Sequence, residues 1–178
     1  MLPQAVSVLP DHQIRDLCLA GMVKPFDPAL LNPASLDVRL GDELLIEVEE
    51  DEHYRAVNIS DCTPQKPFYL SPNEFVLTHT LEKFFIPDCV AAQFALKSSL
   101  ARSGFEHLLA GWIDPGFNNS VLTLELKNAR NYGYLPLWPG RKIGQVIFMG
   151  MANPPEKSYS ITGRYNNDPS VSRSKGDE

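Results

Sequence analysis

Punctuation constrains this chain more than any other feature. Fifteen prolines, helped by Gly, Asn and Asp, cut it into short runs of Val, Ile, Leu, Thr and aromatic residues. Proline cannot donate to a β-ladder and breaks a helix interior, so it falls between elements rather than within them. A chain cut this often has no room for long helices. The runs 36–40, 43–48, 56–59, 68–70, 74–81, 90–96, 121–126, 134–137 and 143–149 read as strands. One segment differs: Asp11 reads as the cap of a helix running to about Ala20, with Ile14, Leu17 and Cys18 on one face and Gly21 as its stop. The expectation is an all-β fold, mainly β with a short N-terminal helix, shaped as a distorted jelly roll or β-barrel.

At 178 residues and 43% hydrophobic composition, the chain can bury one proper core, so residues 1–178 are read as a single domain. The net charge of −6 provides no basic stripe, and nucleic acid is not expected as a partner. No apolar stretch approaches the ~20 residues of a membrane span, and the opening MLPQAVSVLPDH lacks a charged region followed by an apolar run. A cytoplasmic protein with no membrane partner is therefore expected. The acidic stretch 47–52 reads as a solvated hairpin tip, and the closing SVSRSKGDE as a frayed polar tail. No internal repeat or low-complexity block is visible.

Chemistry concentrates between residues 97 and 125. In Val121-Leu122-Thr123-Leu124-Glu125-Leu126 a carboxylate interrupts a strand-like apolar run. An ionised side chain is costly in a core, so Glu125 must face water, a partner or a ligand. Asp114-Pro115-Gly116 is a turn signature, its proline pre-setting φ and its glycine accepting positive φ. Alone, Asp114 would more simply bond its own turn backbone, and Glu125 would be an outward residue of a half-exposed strand. Ser98 and Ser99 precede Leu100-Ala101-Arg102, so one serine is positioned to cap a short helix. Its free backbone donors, with Lys97 and Arg102, would attract phosphate.

Taken together these segments resemble a known family. KSSLARSG, AGWIDPGF, TLEL and PGRKIGQVIF (139–148) are similar, in order and spacing, to the successive motifs of the dCTP deaminase branch of the dUTPase superfamily. PASLDVRLGDEL (33–44) resembles its first motif, and Tyr159 followed by Gly163-Arg164-Tyr165 resembles its closing lid, which makes about 157–178 a lid and tail. The resemblance implies a trimeric dUTPase-like jelly roll with sites between subunits. It further implies hydrolytic deamination of a Mg²⁺-bound dCTP to dUTP, possible continuation to dUMP and pyrophosphate, and self-association as a homotrimer.

Site residues follow position by position. Lys97, Ser98, Ser99 and Arg102 match those that hold phosphates and order the water. Asp114 matches the carboxylate that holds the deoxyribose 3′-hydroxyl, and Glu125 the general acid/base. The carbonyl of Ala110 matches the group that polarises the attacking water together with Ser98 and Arg102. Thr123, Leu124, Tyr159, Arg164 and Asp168 match further substrate-contacting positions. Trp112 and Phe117 read as core or interface aromatics rather than base-stacking groups. Ala110-Gly111-Trp112-Ile113-Asp114 is of the bifunctional, dUMP-forming kind.

Zinc-type nucleobase deaminases need a His-x-Glu and a Pro-Cys-x-x-Cys. Cys18, Cys62 and Cys89 are widely spaced and the four histidines scattered, so the expected chemistry uses no zinc and the thiols read as reduced. Two other classes stay open: a plain dUTPase, which would need Asp114 but not Glu125, and a non-catalytic nucleotide-binding homologue. In the lid, Arg164-Tyr165-Asn166-Asn167-Asp168 stands where Lys-Tyr-x-x-Gln is usual. The expectation is that Arg164 pairs with Asp168.

Overall fold

The computed structural model describes residues 7–48 and 54–176. Helix α1 (Asp11–Leu19) is followed by β1 (Val23–Lys24), a 3₁₀ turn (Pro28–Leu30), β2 (Leu31–Asn32), β3 (Ser35–Arg39), β4 (Glu43–Glu47), β5 (Tyr54–Asn58), β6 (Phe68–Leu70), β7 (Phe75–Phe85) and β8 (Val90–Leu96). Then come α2 (Ser98–Ser103), β9 (Phe105–His107), β10 (Trp112–Ile113), β11 (Asn118–Asn128), β12 (Leu135–Leu137), β13 (Lys142–Gly150) and α3 (Tyr159–Thr162). The acidic stretch expected to form a hairpin tip lies mostly outside the described residues, although the antiparallel pairing of β4 and β5 up to Glu47 and Tyr54 leads into it.

Two sheets enclose the core. One runs β5-β4-β7-β11-β9, with β1 also on β7; the other runs β10-β8-β13-β3-β2, and β12 pairs with β6 apart from both. The pleat explains the sorting of side chains. On β11, Leu122, Leu124 and Leu126 are buried while Thr123, Glu125 and Lys127 take the opposite face, as a period of two requires. On β3, Leu36 and Val38 do the same. Val146 and Phe148 of β13 and Phe84 of β7 are fully buried in the same core, where each side chain contributes roughly 1.5–3 kcal/mol by leaving water. This is the mainly β jelly-roll-like fold that the punctuation implied.

Two helix caps differ from expectation. Pro10, not Asp11, is the N-cap of α1, and its fixed φ starts the helix without a side-chain bond. Lys97 holds the N-cap position of α2, which leaves Ser98 and Ser99 as its first two helical residues with no capping role. Two buried carboxylates fix the sheets. Glu82 accepts from the backbone N–H and Nε of Arg39 at 2.8 and 2.7 Å; burial raises its pKa against the pull of that guanidinium. Asp37 accepts from Lys97 Nζ at 2.6 Å and Asn32 Nδ2 at 2.8 Å, with Lys142 Nζ 3.3 Å away. Burial alone would raise its pKa, but these bonds and charges outweigh burial and lower it.

Candidate active site

A cavity of about 620 Å³ opens on the outer face of β11, roofed by the C-terminal segment. That size suits a small-molecule ligand. Glu125 and Thr123 of β11 and Leu77 of β7 line it, and Glu125 pairs with Leu77 across the two strands. Ala110, Trp112 and Asp114 form a wall, and Tyr159, Tyr165, Asp168, Ser172 and Arg173 belong to the roof.

Glu125 does not face open water. His107 of β9 brings Nε2 within 3.2 Å of its Oε2, yet out of line for a hydrogen bond, so both atoms are buried without a hydrogen-bonding partner. The His107 ring leans on Phe94, centroids 4.7 Å apart. Buried polar atoms are almost always paired, so a cavity-lining carboxylate with one oxygen buried and unbonded stands out among the side chains of this cleft. The sequence reading missed His107 because it lies 18 positions before Glu125, the difference between their residue numbers. Only the pairing of β9 with β11, which puts His107 opposite Leu126, brings the two together.

The wall depends on close backbone approaches. A Cβ on Gly111 would stand 2.5 Å from the carbonyl oxygen of Phe94, so only glycine fits where Phe94 N–H donates to Gly111 O at 2.7 Å. Two residues before Gly111, Leu109 holds a left-handed φ of 64°, a strained conformation for a non-glycine residue. Asp114-Pro115-Gly116 is the expected turn: Phe117 N–H donates to Asp114 O at 3.1 Å and Gly116 has φ 89°. The Asp114 carboxylate does not bond that turn. It accepts from Trp112 Nε1 at 2.9 Å. Phe117 is core, as expected, but Trp112 is 59% exposed on the cavity rim.

Of the residues singled out from the sequence, the fold brings Ala110, Asp114, Thr123, Glu125, Tyr159 and Asp168 around one cavity. Burial, and secondarily the charge of Asp114, raises the pKa of Tyr159. Leu124 turns its side chain into the core. Lys97, Ser98, Ser99, Arg102 and Arg164 do not line the cavity; Lys97 is held by Asp37, and Ser98, Ser99 and Arg102 are exposed on α2. Arg164 donates to Gly176 O. The expected pairing of Arg164 with Asp168 is replaced by an ion pair with Lys175, whose Nζ lies 3.0 Å from both Asp168 oxygens.

The reason is the path of the tail, which is not frayed over residues 170–176. Val121 N–H donates to Asp168 O, Ser172 N–H to Thr123 Oγ1 and Arg173 to Tyr54 O. These bonds fold the tail back so that Lys175 reaches Asp168, while its Nζ lies 4.9 Å from the Tyr165 ring centroid. Among the described residues, no group of three or more His, Cys, Asp or Glu side chains is gathered to hold a metal ion, and no helix is long and apolar enough to cross a membrane.

Fold and cavity together define a jelly-roll protein with three carboxylates, Glu125, Asp114 and Asp168, lining one ligand-sized cleft. Its kinship follows from comparison with known proteins. Residues 8–151 match the dCTP deaminase-like family, and the chain belongs to that family. It is similar to a protein of Kocuria rhizophila named dCTP deaminase, dUMP-forming, with 41% identity over 90% of this chain and 88% of that one. Proteins of the same name from Acidothermus cellulolyticus and Mycobacterium avium are 42% and 40% identical, over 85% and 87% of this chain and 84% and 86% of theirs. Among solved structures, the 2′-deoxycytidine 5′-triphosphate deaminase of Agrobacterium tumefaciens shares the fold, with a TM-score of 0.65 at 19% identity over 83% of this chain. This chain spans about half of that one, 49%.

Proposed function

We propose that this chain hydrolyses dCTP to dUTP and ammonia, and carries the dUTP on to dUMP and pyrophosphate in the same cavity. The nucleotide enters as its Mg²⁺ complex. The observation that carries this reading is the Glu125 carboxylate on the cavity wall, whose Oε2 is buried beside His107 without a hydrogen bond. The names of the relatives, dCTP deaminase, dUMP-forming, support it.

The chemistry needs one proton carrier. As the water oxygen adds to cytosine C4, the Glu125 carboxylate takes its proton and delivers it to N3. The resulting C4 hydroxyl then gives up its proton through the same carboxylate to the exocyclic amine, the C4–N bond breaks, and ammonia leaves. Glu125 ends as it began, and one water has replaced one ammonia. General acid–base catalysis of this kind contributes ~10²–10⁴ in rate. His107 holds the carboxylate's orientation from 3.2 Å, and the carbonyl of Ala110 polarises the water. Asp114 takes a sugar hydroxyl and serves the second hydrolysis, in which water cleaves the bond between the α and β phosphates.

The cavity is short of positive charge. Arg173 is its one lining cation among the described residues, beside Asp114, Glu125 and Asp168. A triphosphate needs more, and Ser98, Ser99 and Arg102 stand exposed on α2 away from this chain's cavity. In our reading the protein is a homotrimer in which α2 of one copy supplies phosphate donors to its neighbour's cavity.

Incubation with dCTP and with dUTP separately, with chromatography of products, tests the reading. dCTP should yield dUMP, pyrophosphate and ammonia. Accumulation of dUTP would remove the second step, turnover of dUTP alone would make the chain a dUTPase, and no turnover of either would make it a binding homologue.

A further inference from the structure

Asp114 is oriented by a residue two positions before it. Ile113, the second residue of β10, turns into the core at 3% exposure, so its neighbours Trp112 and Asp114 share the opposite face. There the indole Nε1 donates to Asp114 Oδ1 at 2.9 Å, and both residues line the cavity. Among the described residues, no hydrogen bond reaches Oδ2. An indole left 59% exposed is not there for core packing, since tryptophan is highly buried on average. Its N–H is its one donor, and here the donor is committed to a carboxylate.

That commitment has a chemical consequence. A carboxylate with both oxygens open grips a vicinal diol with one oxygen on each hydroxyl; one whose first oxygen is already bonded grips a single hydroxyl best. We infer that Trp112 is a specificity-determining positioning residue: its N–H occupies Oδ1 of Asp114, fixes the carboxylate's rotation, and leaves Oδ2 to one sugar hydroxyl, favouring a 2-deoxy sugar over ribose. The inference rests on the reading above, in which Asp114 takes the sugar hydroxyl of a nucleotide in this cavity.

Trp112→Phe keeps an aromatic ring on the rim and removes only the donor. KM and equilibrium Kd are to be measured with dCTP, CTP and 2′,3′-dideoxy-CTP for the full-length wild-type chain and the variant. The expected result is a KM and Kd for dCTP raised about tenfold, the effect of losing one charge-assisted bond, with kcat for the deamination step, read as ammonia release, changed less than about twofold. The preference for dCTP over CTP should shrink by about fivefold or more, and the dideoxy compound, which lacks the hydroxyl, should bind both proteins alike. In an Asp114→Ala background, Trp112→Phe should have no further effect.

Equal losses for all three nucleotides would overturn the inference by showing a ring-packing effect, and so would an unchanged preference between dCTP and CTP. If wild-type binds dCTP without turning it over, the proposed reaction fails while the Kd comparison still decides the role of Trp112. If wild-type binds no dCTP, both fail.

Discussion

His107 Nε2 and Glu125 Oε2 lie 3.2 Å apart, both buried, and neither atom has a hydrogen bond. The carboxylate sits on a long central strand and the imidazole on a three-residue strand beside it, so the contact is set by sheet pairing rather than by flexible side chains. Glu125→Gln should keep fold and nucleotide binding and lower deamination by roughly 10²-fold or more, because an amide carries no proton. His107→Phe should lower kcat by about tenfold while leaving KM near its wild-type value, since the ring's space is kept and only its polar edge is lost. Thermal unfolding of both variants checks the fold, and near-normal turnover by Glu125→Gln would remove it from the mechanism.

Asp168 is paired by Lys175 rather than by Arg164. Asp168→Asn and Lys175→Met should each raise KM for the nucleotide, and the double variant should cost no more than either single change. Exposed pairs contribute less than about 1 kcal/mol, so each rise should be at most roughly fivefold and should fade in high salt. Steady-state kinetics at low and high ionic strength make the test. Coupling of Asp168 to Arg164 instead would mean that the tail takes another path in solution.

If α2 completes a neighbour's cavity, the protein should sediment at about 60 kDa, three times its 19.9 kDa. Two inactive variants should then complement. Arg102→Ala and Glu125→Gln, mixed and allowed to exchange subunits, should regain part of the activity, because some mixed sites contain neither change. An active species of 19.9 kDa would refute this.

Treatment with a zinc chelator followed by assay with Mg²⁺ should leave full activity if, as proposed, the proton carrier is the Glu125 carboxylate and the one ion needed arrives on the nucleotide. Turnover lost on chelation and regained with zinc alone would contradict the scheme.

Asp37 makes an acid-sensitive fold. Its folded pKa is below the ordinary 3.8, so its charge contributes stability that is present above 3.8 and lost as pH falls through the lower folded value. Unfolding free energy measured from pH 6 downward should therefore drop below about pH 4, and Asp37→Asn should be less stable at pH 6 with a shallower fall.

The strands were legible because their cause is local. Alternation on 121–126 and the prolines between runs act over a few residues, and every run read as a strand is one, with no end moved by more than four residues, as β7 shows by running on to Phe85. Glu125 and Asp114 were also legible, but only through the combination of their motifs, since each alone has a plainer reading as an outward strand residue or a turn aspartate. The short strands β9 and β10 were not read, whereas β6 and β12, nearly as short, were marked by the apolar runs 68–70 and 134–137. β9 and β10 exist because a longer strand lies beside each.

What the chain by itself determined is thus its β character, its turns and the identity of two of its three cavity carboxylates, Asp114 and Glu125. Tertiary structure alone decided which groups meet them. His107 reaches Glu125 through the pairing of β9 with β11. Lys97 is drawn to Asp37, 60 positions away, because a carboxylate nearly removed from water must find a cation. Lys175 takes Asp168 from Arg164 because the tail's backbone bonds to Val121 and Thr123 fold it back. Each of these pairings joins residues that chain order does not bring together, and only the packing of the sheets and the path laid across them sets those distances.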